Sequence, residues 1–326
     1  MDSSLITKSI SSHNAQSSTT RYFWLDWMRA IGMVLIIYGH FFSIGEKYIY
    51  VFSVPLFFLI SGFLSKTESD NKIFWTKLWY NLVTPLILIC SLNYFIGIAR
   101  WYFLSSCELE NPIHFVGRMI LGLHSAVGNF WFVYTLIVLK VIFQYTRGIW
   151  THLILFVICL ALAYIINNFD ILIFGRPLLK MGWSVANTLV AYPFFIAGHY
   201  LSLWKEDIAN YRPSIFSGLW ISILLCIVFI CGQYNSDVRL YICGYGDSII
   251  LYLIGGLAGT TLIYFISNLL ENIQWKWITD ISVGTTIILG FHYYFIVACR
   301  RFFPTASAID IVFTLGITII FILTLK

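Results

Sequence analysis

Three ionisable residues, Asp26, Arg29 and His40, sit in the first long apolar run of the chain, Trp24-Leu-Asp26-Trp-Met-Arg29-Ala-Ile-Gly-Met-Val-Leu-Ile-Ile-Tyr-Gly39-His40. An imidazole titrates near neutral pH and can take up or return a proton. A guanidinium holds a phosphate or a carboxylate through two parallel N–H bonds. On an α-helix the spacing from Arg29 to His40 turns through about 1100°, within roughly 20° of three full turns, so both side chains share one face about 16 Å apart. Two readings fit Arg29: a functional cation, or an interfacial residue that pairs with Asp26 at i−3 and snorkels. His40, further from the interface, is either a packed histidine with satisfied nitrogens or a proton-handling group.

The elements that hold these residues follow from composition. With 59% hydrophobic residues, 11% charged residues and a mean hydropathy of +0.83, the 326-residue chain carries more apolar surface than one soluble core can bury. It reads as an all-α, polytopic membrane protein of about ten transmembrane helices, placed near 24–44, 49–65, 78–104, 130–146, 150–167, 183–203, 213–232, 246–270, 277–299 and 306–325. Asn111-Pro112, Asn167-Asn168-Phe169-Asp170, Arg176-Pro177, Arg212-Pro213 and Pro304 punctuate them. Residues 1–20, rich in Ser and Thr, read as a mobile cytoplasmic tail and residues 21–326 as a single membrane domain. The start lacks the pattern of a signal peptide, so the first helix is expected to be retained. Lys and Arg favour the N-terminal side, eleven against eight, which places both termini in the cytoplasm. Arg300 and Arg301 run against that excess, or serve an anionic substrate on the outer face. The net charge of +5 is scattered through short loops and excludes a nucleic-acid-binding reading.

The first run is followed by Val54-Pro55-Leu-Phe57-Phe58-Leu-Ile-Ser61-Gly62-Phe63-Leu64, and together the two segments resemble the opening signature of the membrane acyltransferase 3 family in its stand-alone form. Further echoes are Lys77 with Pro85, Asn129-Phe-Trp131-Phe132, and the stretch from Ser282 to His292. The resemblance implies an acyltransferase moving a group other than an aminoacyl group, commonly acetyl from acetyl-CoA or another acyl-CoA, onto a sugar hydroxyl. The acceptor would be a bacterial surface polysaccharide or its lipid-linked precursor, at the inner membrane among membrane lipids. Acetyl-CoA enters as donor substrate, and no permanently bound cofactor is expected. His40 would be the catalytic base or acyl carrier, Arg29 the grip on donor phosphate, Asp26 the group orienting Arg29, and Lys77 a second donor contact. Relatives often carry another basic residue beside Lys77, whereas this chain reads Leu78-Trp79-Tyr80-Asn81.

Other positions keep two readings each. Phe57 and Phe58 read as packing residues and Gly62 as a close helix approach, while Ser61 fits either packing or an oxyanion contact. Trp131 and Tyr134 fit interfacial aromatics or a sugar-stacking pair. His292 fits packing, or proton handling and substrate orientation. His114 and His124 lack metal-ligand spacing, so no metal is expected. Gly246-Asp247-Ser248 resembles the start of a hydrolase signature but opens an apolar helix, and reads as its cap. Most cysteines fall within spans; Cys107 and Cys243 share a side and allow a disulfide. The alternative from another function class is a glycan transporter or flippase, for which buried intramembrane charges also serve. A non-catalytic glycan-binding relative is a third.

Overall fold

A lipid-embedded segment must satisfy its backbone polar groups internally, and a helix does so within one segment. The computed structural model describes residues 21–41, 45–104, 110–169, 171–173, 176–178, 182–212 and 214–302, and these are overwhelmingly helical. In chain order the helices are α1 (Phe23–Phe41), α2 (Glu46–Tyr50), α3 (Ser53–Phe63), α4 (Asn71–Leu78), α5 (Thr84–Leu104), α6 (Pro112–Leu121), α7 (His124–Val127), α8 (Trp131–Tyr145), α9 (Ile149–Asn168), α10 (Thr188–Leu201), α11 (Lys205–Asn210), α12 (Ile215–Tyr234), α13 (Ile249–Leu269) and α14 (Lys276–Phe302). Two antiparallel hairpins of two-residue strands lie in the connections. One pairs β1 (Leu172–Ile173) with β2 (Arg176–Pro177) and the other β3 (Val238–Arg239) with β4 (Gly244–Tyr245).

Seven stretches of the described residues are long and apolar enough to cross a membrane: Glu46–Phe63, Asn71–Phe103, His124–Tyr145, Ile149–Asn168, Phe216–Tyr234, Ile249–Leu269 and Lys276–Val297. The chain is thus an all-α, multi-pass membrane protein. Helices α1 and α10 match two further expected spans but fall outside that group. Helix α10 has 14 residues. The tenth expected helix, 306–325, and the tail 1–20 lie outside the described residues, as does Cys107.

Local chemistry explains where the elements differ from the sequence expectation. The segment read as a loop after α5 contains α6, whose start carries an Asn111 side chain accepting from the Ile113 N–H with Pro112 in the first turn, and whose end is Gly122 at φ 69°. Asn-Pro here opens a helix, because proline lacks only an N–H that the first turn leaves unbonded. Helix α4 precedes α5, joined by a wide π turn at Trp79–Val83 just before Pro85. The extra residue in that turn accommodates a ring with no N–H to donate. Ser248 caps α13, its hydroxyl accepting from Leu251 N–H, while Asp247 accepts from the Ser236 backbone and hydroxyl. That is the helix-cap reading of Gly246-Asp247-Ser248. Cys243 is buried in the β3–β4 hairpin, and burial pushes its thiol up to about 12.

Helix α3 is the hub. Phe58 and Leu59 join one buried cluster with α8, α9 and α10; Phe57 joins a second with α1, α5 and α14; Leu56, Ile60 and Phe63 join a third with α1, α12 and α13. Its closest neighbour is α10. A Cβ built on Gly62 would lie 1.8 Å from the Phe195 carbonyl oxygen, and one on Gly198 would lie 2.0 Å from that of Leu59. Two glycines thus let the helix backbones touch, as expected for Gly62. Phe57 and Phe58 pack edgewise and obliquely on Phe132, with ring centroids 6.2 and 4.6 Å away. Helix α1 therefore runs between two apolar clusters, with α14 along one flank.

Candidate active site

Helices α1 and α14 run side by side in the same direction, which sets Asp26 and Arg29 beside Ser282 at one end and His40 beside His292 at the other. At the first end the Ser282 hydroxyl donates to Asp26 Oδ1 at 2.6 Å. Its oxygen accepts from Arg29 Nη1 at 3.3 Å. Asp26, 4% exposed, also accepts from Arg21 Nε at 2.7 Å. That bond to Asp26 is the main cause that holds the Arg21 guanidinium above its ordinary value. Asp26 thus reaches Arg29 through a serine hydroxyl rather than by a direct i, i+3 pair. Trp27 Nε1 donates to the Ile273 carbonyl at 3.0 Å and pins α1 to the start of α14.

Arg29 opens into a cavity of about 1090 Å³ bordered by Arg21, Lys66 and Lys205 as well as Asp26, Glu206 and Asp207. A second cavity of about 340 Å³ shares Leu64, Ser65 and Lys66 with it and adds Glu68, Lys77 and Lys140. Lys77 is exposed and donates to Glu68 Oε1 at 2.7 Å. Lys140 lies on α8, within an otherwise apolar segment, and donates to the Ser65 hydroxyl at 3.0 Å. Lys140 is not among the candidate residues of the sequence analysis. Its signal was a lone charge inside the helix Trp131–Tyr145, with apolar residues on both sides.

At the other end His40 borders two cavities. The smaller, about 50 Å³, is lined by His40, Asn129, Trp131, Phe132, Thr285 and His292 among others. The larger, about 380 Å³, joins His40 and Trp131 to Tyr50, Tyr241 and a charged rim of Glu46, Lys47, Asp237 and Arg239. Asp237 accepts from Arg239 at 2.6 Å, and Lys47 donates to Gln233 at 2.7 Å. The residue at 237 holds a left-handed backbone, φ 63°, uncommon outside glycine. The His40 and His292 ring centroids are 5.2 Å apart, and that of Tyr50 lies 6.0 Å from His40.

The structure therefore gathers Asp26 and Arg29 at one end of α1, and His40, Trp131 and His292 at the other. It does not bring every sequence candidate to these cavities. The Tyr134 hydroxyl donates to the Ile120 carbonyl at 2.8 Å, and its ring packs over Gly122. Ser61 lines none of these cavities, and its carbonyl accepts from the Ser65 hydroxyl. Lys77 sits at the mouth of the smaller basic cavity, away from Arg29's own bonding partners. His114 is exposed on α6, and among the described residues no group of three His, Cys, Asp or Glu side chains could hold a metal. Ser282 was passed over as a site residue. Its signal was a ten-residue interval to His292 close to the Arg29-to-His40 interval.

Neither a curated protein nor a solved structure matches the chain. A family model described as an acyltransferase domain, that of acyltransferase 3, matches residues 22–325 and so covers every residue named at both cavity systems except Arg21. With that match over nearly its full length, the chain belongs to the acyltransferase 3 family of membrane acyltransferases.

Proposed function

We propose that the protein O-acetylates a sugar hydroxyl of a bacterial surface polysaccharide or its lipid-linked precursor, with acetyl-CoA as donor, in the inner membrane and with both termini cytoplasmic. The observation that carries this reading is the placement of two unlike cavities at opposite ends of one helix, a basic one at Arg29 and one with histidine and aromatic walls at His40. A coenzyme A donor has phosphates at one end and a thioester at the other, joined by an extended arm. The cations Arg29, Lys66 and Lys205 suit the phosphates, and Arg29 is held from behind by Ser282. The distance along α1 of about 16 Å, from ~1.5 Å per residue, is a span that the arm can follow toward His40. Lys77 and Lys140 border the adjoining cavity as further phosphate contacts.

On the other side Trp131 and Tyr241 offer ring faces, and Glu46, Asp237 and Arg239 offer polar groups, a lining that suits a sugar. The His40 imidazole takes the proton of the acceptor hydroxyl as its oxygen attacks the thioester carbonyl. A C–O bond forms, the C–S bond breaks, and the thiolate leaves to take up a proton. Ser61, remote from these walls, serves helix packing in this scheme, as Tyr134 does. The family membership favours catalysis over a transporter or flippase.

The test compares acyl content of surface glycan from cells carrying the intact chain and His40→Ala at matched protein levels. Loss of acylation with glycan export unchanged is expected. Equal acylation overturns the catalytic role of His40, and loss of export itself supports the transporter.

A further inference from the structure

His292 is fully buried, 0% exposed, and its two ring nitrogens are in opposite situations. Nδ1 lies 3.0 Å from the Ile288 carbonyl oxygen and 3.0 Å from that of Leu289. Carbonyl oxygens only accept, so Nδ1 carries the proton and donates to both. In the neutral ring that leaves Nε2 as a lone pair with no donor to receive. Nε2 is buried and makes no hydrogen bond among the described residues. A buried acceptor left unpaired has lost its hydration without replacement, and such groups are rare enough to call for a partner. The ring borders the same small cavity as His40, Asn129, Trp131 and Thr285. With centroids 5.2 Å apart and planes inclined by 35°, the two imidazoles are neighbours on one wall.

We propose that His292 is a positioning residue whose Nε2 accepts a hydrogen bond from the hydroxyl adjacent to the one being acylated, so that the acceptor is recognised as a vicinal diol. This rests on the acyl-transfer reading above and adds a substrate feature to it. His40 takes the proton of the reacting hydroxyl, and His292, its tautomer locked by two backbone carbonyls, takes the hydrogen of the neighbour. The pair then selects for two adjacent hydroxyls as a sugar ring presents them, and against an acceptor whose second oxygen carries no hydrogen. A hydrogen bond made only by the correct substrate discriminates strongly, because the unpaired site group penalises the wrong one.

The test uses the purified full chain in lipid nanodiscs with acetyl-CoA and two small alcohol probes, ethane-1,2-diol and 2-methoxyethanol, with ester formation followed by mass spectrometry. The second probe keeps the neighbouring oxygen but replaces its hydrogen with methyl. The intact protein is expected to favour the diol about five- to tenfold per hydroxyl, expressed mainly in KM. His292→Phe should lose the preference between the two probes, and His292→Gln, whose amide oxygen accepts, should recover part of it. Equal per-hydroxyl rates with the intact protein overturn the proposal, as does a preference that survives in His292→Phe. An intact protein that forms neither ester from acetyl-CoA overturns the acyl-transfer reading, and this one with it.

Discussion

Replacing Ser282 by alanine tests the polar junction between the two helices of the site. The side chain is small and buried, 4% exposed, so the substitution removes one oxygen and little volume. Two hydrogen bonds go with it, the 2.6 Å donation to Asp26 and the 3.3 Å acceptance from Arg29. Each involves a charged group, and bonds to charged groups contribute about 1.5–3 kcal/mol. The Arg29 contact lies beyond the usual N–H···O range of about 2.7–3.2 Å, so the lower figure applies to it. At about 1.4 kcal/mol per factor of ten, a guanidinium that must be re-ordered on binding weakens the donor complex about tenfold. Isothermal titration of coenzyme A into nanodisc-embedded protein reads this directly. Ser282→Thr, which restores the hydroxyl, should return to within about threefold of the intact protein, and melting curves separate an unfolded variant from a weakened site. An unchanged affinity in Ser282→Ala, alongside a tenfold loss in Arg29→Ala, would refute the relay through Ser282.

Arg29→Lys keeps the charge but gives up the planar fork, and should weaken coenzyme A binding about tenfold with the fold unchanged; equal affinity removes the bidentate role. Gly62→Ala and Gly198→Ala press a methyl into a facing carbonyl and should each cost about 1–3 kcal/mol or more of stability, read as a lowered melting temperature. Gly218→Ala, with nothing within 4 Å of the added carbon, should leave that temperature unchanged or raise it. Lys77→Ala should change coenzyme A affinity less than about fivefold, because exposed ion pairs contribute about 0–1 kcal/mol. Lys140→Met should change it more, and the reverse order in titration would remove Lys140 from the donor site.

Much of this arrangement was legible in the chain because hydrocarbon makes charge expensive. Asp26, Arg29 and His40 stand out against an apolar background, and helical periodicity alone puts Arg29 and His40 on one face. Lys140 carried the same signal but near a helix end, where a flanking cation is an equally good account. Partners across helices were harder to read. No period within α1 reveals that Ser282 stands between Asp26 and Arg29, nor that His292 has its Nδ1 satisfied and its Nε2 buried without a partner among the described residues. Those facts depend on how two distant helices are rotated against each other. Tyr134 shows the converse: its position one turn after Trp131 suggested a shared role, yet its hydroxyl is taken by Ile120.

The bond from Ser282 to Asp26 closes a loop of 256 residues. Helix α1 leaves the ribosome early, whereas its partner in both polar contacts leaves only when nearly all the described chain has been made. A chain arrested or cut anywhere before α14 therefore carries His40 and Arg29 without Ser282, which bonds Arg29, and without His292, whose ring stands beside His40. Premature products would be inert, and the enzyme would acquire activity in one late step of biogenesis. Coexpressing α14 as a separate polypeptide with the remainder should accordingly restore activity that neither piece has alone.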